Sequence, residues 1–260
     1  EALSVRLASS GLSYRFLTYS IIEDIFSPLK TWHFNSLLKD ERGENTIHRP
    51  LSYLYHILIW SEREGGMGVS LVVNHRWAFL IILVIAALLI LFLLARGSSY
   101  HPMMFTTGTL TISTVVLGIL LFQSMRGEVY VYIGVLTGLY MGGSAVGAVV
   151  SEKFPERFMI AFTEMLWVFI LVCFLMTGDE PLLVYIILFL AGLAGGMQYG
   201  ILSEGTDPAG LYFIDLLGAT FGALFVSVFL FPLFGILGVV GVLLFLKLAG
   251  ATVLFFEKRH

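Results

Sequence analysis

Seven long apolar runs, parted by short polar or Gly/Pro breaks, fill the chain beyond residue 76. They fall at about 77–95, 104–124, 130–150, 159–177, 182–202, 211–231 and 235–256. Each is close to the roughly 20 residues that a helix needs to cross a hydrocarbon core of about 30 Å. Backbone polar groups in lipid have to bond within their own segment, so the runs are predicted to be helices. The period-two alternation of a membrane barrel is missing. The run from Tyr212 to Gly235 stands out: it holds one carboxylate, Asp215, then small residues at helical spacing (Gly218, Ala219, Gly222, Ala223), and Pro232 is expected to close it.

Small residues four apart let helix backbones approach closely. That spacing occurs in the third run (Gly143, Gly147), the fifth (Gly192, Gly196) and the sixth (Gly218, Gly222), which are therefore expected to face protein. The packing partners of the sixth are expected in the third and fifth. The first run, AFLIILVIAALLILFLLA, lacks such a stripe and is expected to face lipid. The third and sixth runs share an aromatic start followed by a small-residue stripe, a weak sign of internal duplication.

Residues 1–76 differ in kind, with much of the Lys, Arg and His and no spanning run. Their pattern predicts a helix over Ala2–Ser10 stopped by Gly11, a short strand over Tyr14–Thr18, a helical stretch over Ser20–Leu38 and an aromatic helix over Pro50–Trp60. The division that follows is 1–62 soluble, 63–76 linker, 77–256 transmembrane and 257–260 basic tail.

Composition agrees with a membrane protein. Of 260 residues, 58% are hydrophobic and 13% charged, with mean hydropathy +0.90, against roughly 25% charged in a soluble domain. The net charge of −3 argues against a general nucleic-acid binder. The single cysteine, Cys173, excludes an intrachain disulfide and a cysteine-based zinc cluster. Residue 1 is Glu and the first 70 residues show no signal peptide, so the chain is expected to be the C-terminal part of something longer. Arg96, Lys153, Arg157, Lys258 and Arg259 share one side of a seven-span topology, and counting short loops alone puts that side in the cytoplasm.

Asp215 is the sharpest candidate for chemistry, because a carboxylate within a span is costly and usually faces a bundle interior, a partner or a cavity. It lies near the start of its run, so an interfacial, helix-capping role stays equally open. Tyr212, one turn earlier on the same face, either bonds Asp215 or belongs to an interfacial aromatic belt. Glu164, early in the fourth run, reads as an interfacial residue near Arg157, with a membrane function as the alternative. Gln123 reads as a helix–helix hydrogen bond at the turn that also holds Arg126 and Glu128. Gln198 and Tyr199 lie beside a loop with Glu204 and Asp207, a conceivable entry for a cation. His48, His56 and His75 lack the spacing of a helical zinc site, and no phosphate loop or nucleophile elbow is present. No catalytic, cofactor-binding or metal-binding residue is assigned.

Three stretches together resemble the membrane-embedded spermidine synthase-like proteins. They are LFQSMRGEVYVYIGVLTGLYMGGSAVGA at Leu121–Ala148, LYFIDLLGATFGAL at Leu211–Leu224 followed by FPLFGILG at Phe231–Gly238, and NTIHRPLSYLYHILIW at Asn45–Trp60. Ile47 stands where that family tends to carry an acid. The resemblance implies an all-α polytopic membrane domain of about seven transmembrane helices, major-facilitator-like, preceded by the tail end of an α/β methyltransferase-like domain. It implies that the intact parent is an aminopropyltransferase using decarboxylated S-adenosylmethionine as co-substrate, with its cofactor loop and catalytic Asp upstream of Glu1. This chain would be the membrane half, not catalytic alone, partnered by the bilayer and the upstream synthase domain and handling a polyamine-like substrate. Asp215, Tyr212, Glu164 and Gln123 are then the candidate functional membrane residues. The implied location is a bacterial-type inner membrane with the N-terminal segment in the cytoplasm, against the short-loop charge count. A transporter-like or purely structural membrane module is the alternative.

Overall fold

The computed structural model describes residues 75–98, 100–126, 132–153, 155–177 and 180–257. The elements expected before residue 75, and the linker and soluble segment they compose, lie outside the described residues. Among those described there are only helices and turns. In chain order these are α1 (Arg76–Ala95), α2 (Tyr100–Arg126), α3 (Ile133–Ser151), α4 (Glu156–Leu175), α5 (Pro181–Ser203), α6 (Pro208–Leu224), a π-helical stretch (Phe225–Leu230) and α7 (Phe231–Glu257). Six helical runs are long and apolar enough to cross a membrane, the last being the 45 residues Pro208–Thr252.

Two helices make the centre. α2 and α5 pack on each other; α3 lies along α5 and α6 along α2 on the front, and α4 and α7 cover the back. The back is filled by apolar side chains such as Trp167 and Phe174 of α4 and Val239 and Leu243 of α7, all buried. α1 stands at the periphery: 11% of its most apolar stretch is buried, against 78% for α2. Its exposed Ile81, Ile85, Leu89 and Phe92 form the surface that lipid would solvate, as its lack of a small-residue stripe predicted. Arg96, which caps it, turns its guanidinium back over the Phe92 ring at 4.9 Å.

Backbone contact explains the two front pairings. On α5, a methyl group at Gly192 or Gly196 would strike the carbonyl of Tyr140 or Ser144 on α3. In return, Gly143 and Gly147 of α3 lie against the carbonyls of Phe189 and Leu193. The α2–α6 pair is built the same way, with Gly218 on the Phe105 carbonyl, Gly222 on that of Thr109, and Gly108 under Asp215. The approach lets Thr109 Oγ1 reach the Gly218 carbonyl at 3.1 Å. Thus the stripe on α6 finds its partner in α2, not in α3 and α5. α3 faces protein along one edge only, since Gly134, Gly138 and Gly142 have nothing near them.

α2 carries few glycines, and its burial rests on hydroxyls. Thr106, Thr107, Thr109, Thr111 and Ser113 each bond a carbonyl three or four residues back, which hides their polarity inside the helix. Pro232, expected to end the sixth run, does not. A proline inside a helix leaves a carbonyl one turn earlier without its amide donor. Here the π-helical stretch Phe225–Leu230 precedes it, and the helix runs on until Gly235, whose φ of 64° and ψ of −169° break it.

Candidate functional site

Two polar assemblies lie on opposite sides of the α2–α5 pair. The one at the back is centred on Lys247 of α7, whose side chain is 2% exposed. An ammonium has three donors and no acceptor. Each donor meets a different helix: Thr107 Oγ1 of α2 at 2.9 Å, Gln198 Oε1 of α5 at 3.0 Å and Glu164 Oε1 of α4 at 3.0 Å. Gln198 completes the set. Its Nε2 donates to Glu164 Oε1 at 2.8 Å, and its Oε1 also accepts from Trp167 Nε1 at 3.2 Å. Thr107 Oγ1 lies 2.8 Å from the Met103 carbonyl and 2.7 Å from Gln198 Oε1, and its single proton serves one of them. The amide orientation is chemically forced, with oxygen toward the ammonium and the indole and nitrogen toward the carboxylate. Every charge here has a counter-charge and hydrogen bonds, as a buried ion pair requires.

The front assembly is different. A cavity of about 280 Å³ is lined by Asp215, Tyr212, Tyr199, Tyr140, Thr111 and Ser144, with Gly195 and Gly196 in its floor. Asp215 is half-buried, with its backbone and one carboxylate oxygen over Gly108, where any larger residue would displace it. Among the described residues, no hydrogen bond or ion pair reaches its carboxylate. Tyr199 donates to the Pro208 carbonyl at 3.2 Å, and its ring stands edge-on to Tyr212 with centroids 6.4 Å apart. Asp207, in the loop before α6, is spent as a helix cap, accepting from the amides of Ala209 at 3.3 Å and Gly210 at 2.9 Å.

Of the residues singled out from the sequence, Asp215 and Tyr212 come together in this cavity. Glu164 meets Lys247 of α7 in the assembly at the back. Gln123 lies exposed near the far end of α2, some four turns from Thr107, and joins neither assembly. Sequence reasoning missed Lys247, Thr107 and Trp167. A lysine flanked by apolar residues, LLFLKLAG, is the signal that could have found the first, since an ionisable residue inside a span implies a buried partner.

The charge inventory decides what the arrangement can do. Among the described residues of the spans, Lys247 pairs with Glu164, and Asp215 has no counter-charge. A carboxylate among tyrosine rings attracts an ammonium by charge and by the negative faces of the rings. Among the described residues no three His, Cys, Asp or Glu side chains gather as metal ligands. One carboxylate with hydroxyls is a poor substitute for the six to eight oxygens that Ca²⁺ takes. Comparison with family models, with curated proteins and with solved structures gives no match.

Proposed function

We propose that the chain is the membrane half of an aminopropyltransferase-like protein, and that its helical bundle holds an organic amine at Asp215. The observation that supports the amine site is the Asp215 carboxylate, without a counter-charge among the described residues, opening into a tyrosine-lined cavity. The link to a synthase rests on the sequence resemblance of Leu121–Ala148, Leu211–Leu224 and Asn45–Trp60, which supplies polyamines as the related substrate class. On this reading decarboxylated S-adenosylmethionine belongs to the upstream domain, and no described residue acts on it. The bundle anchors that domain and presents an amine. In this reading the chain crosses the bilayer seven times, because Gly218 and Gly250 lie against adjacent residues of α2, Phe105 and Thr106, so the run that breaks at Gly235 returns alongside itself. The resemblance puts the N-terminal segment in the cytoplasm, in a bacterial-type inner membrane.

The test is equilibrium binding of propylamine to the protein in lipid nanodiscs. Wild type is expected to bind it, and Asp215→Asn to lose at least tenfold in affinity while keeping its thermal stability. Equal affinity in both proteins would overturn the amine site. Asp215-dependent uptake of putrescine into proteoliposomes would move the reading to a transporter.

A further inference from the structure

We propose that the Asp215 site takes its amine sideways from the bilayer, and that the ligand is a single-chain amphiphile, one primary ammonium on a long alkyl tail. This rests on the amine site proposed above and names its substrate class. The helix arrangement is the first reason. α3 and α6 are the two front walls of the cavity, and each packs on a different central helix, α3 on α5 and α6 on α2. They form no packed pair with one another among the described residues, so the cavity opens between them.

The edges of that cleft are the second reason. On α3, Tyr140 and Ser144 look into it, and Met141, next around the helix, is 68% exposed. On α6, Tyr212 and Asp215 look into it, and Leu216, next around, is 46% exposed. The polar inner rim thus passes within one residue into an apolar lip on both sides. A bound ammonium on Asp215 would direct its substituent along Met141 and Leu216 into hydrocarbon. Tyr212, at 54% exposed, sits where the chain would leave the head.

Size and charge agree. Drug-sized ligands occupy pockets of about 300–1,000 Å³, and this one, at about 280 Å³, holds an ammonium and the first stretch of an alkyl chain. The rest of a long molecule has to lie outside. Asp215 is the single carboxylate in the lining, so it neutralises one nitrogen; a second ammonium on the same chain would be pushed toward lipid, where a charge is costly.

The deciding experiment compares dodecylamine with propylamine on the whole chain in zwitterionic-lipid nanodiscs. Dodecylamine is counted per mole of lipid, and Asp215→Asn serves as the blank for partition. The expected result is at least tenfold tighter Asp215-dependent binding of dodecylamine than of propylamine. Leu216→Trp, outside the head cavity, is expected to weaken dodecylamine at least fivefold and to leave propylamine unchanged, which also shows that the variant is folded. Asp215-dependent propylamine binding with no advantage for dodecylamine, or an advantage that Leu216→Trp does not touch, overturns lateral entry and leaves the amine site standing. Binding of neither amine through Asp215 overturns both. A second copy covering the cleft, seen as a disulfide between two Leu216→Cys chains within one nanodisc, overturns lateral entry too.

Discussion

The Lys247 ammonium sits 3.0 Å from the Glu164 carboxylate, and that contact joins the last described helix to the fourth across the back of the bundle. Lys247 is 2% exposed and Glu164 17%. Thr107 and Gln198 bond the same ammonium, so four helices meet at one nitrogen. Removing one member of such a pair leaves the other buried and uncompensated, which costs about 3–5 kcal/mol. Lys247→Met is therefore expected to destabilise the bundle by that amount. Glu164→Gln added to it is expected to recover more than half, because the amide of Gln needs no counter-charge. Unfolding of the four proteins of this cycle in mixed micelles measures the coupling, and additive costs would show that the pair does not act as one.

The α3–α5 contact depends on hydrogen atoms where other residues have a methyl group. At Gly196 a Cβ would meet the Ser144 backbone, whereas at Gly142, on the outer edge of α3, it would meet nothing within 4 Å. Overpacking in a close contact costs about 1–3 kcal/mol. Gly196→Ala is expected to lower stability by that amount and to loosen the cavity floor. Gly142→Ala is expected to be neutral or to stabilise by up to about 1 kcal/mol, through helix propensity alone. Thermal unfolding of the two variants side by side checks this, and equal effects would contradict the close approach.

What the sequence made legible was the part governed by one-dimensional rules. Hydropathy alone placed the helices to within a few residues, because lipid demands an unbroken apolar run whatever the partners are. Glycine spacing found Gly192 and Gly196 as a contact, and likewise Gly218 and Gly222. It could not say which helix they touch, since a small residue reports a close approach and not its partner. α2 was missed as the central helix because its burial is written in threonines that bond their own backbone. Lys247 was legible as a lysine within an apolar run, but its three acceptors come from three distant parts of the chain, and only folding collects them. Asp215 and Tyr212 were visible as residue types on one helix face. That Tyr140 and Tyr199 complete the cavity depends on the α3–α5 contact, which no local pattern states.

Gly235 is the one described residue with positive φ, and its ψ of −169° belongs to a region that is essentially glycine's own. A side chain held there costs about 1–3 kcal/mol. Gly235→Ala is expected to destabilise within that range. Gly241→Ala, helical and with open space around its Cα, is the matched control and is expected to cost nothing. A cost at Gly235 no larger than at Gly241 would mean that the helical run can straighten through this point.

On the proposed seven-crossing reading, the turn at Gly235 sets how the chain threads a bilayer. If Pro208–Thr252 folds back at Gly235, its two ends emerge on one side; a straight run would put them on opposite sides. The contacts of Gly218 with Phe105 and of Gly250 with Thr106 require the fold-back, since both lie against the same turn of α2. On that proposal the loops after α1, α3 and α5 lie on one face and the α4–α5 turn on the other. Single cysteines in a Cys173→Ala background read this out with a membrane-impermeant maleimide applied to sealed, oriented vesicles. Lys153→Cys, Glu204→Cys and Glu257→Cys are expected to label from one side and Glu180→Cys from the other. If Glu257→Cys labels with Glu180→Cys, the last run crosses once and six crossings replace seven. If the side that labels with Glu204→Cys is the outer one, the segment before α1 is cytoplasmic, as the synthase-like resemblance requires; the inner one would favour the count of basic residues at Arg96, Lys153 and Arg157.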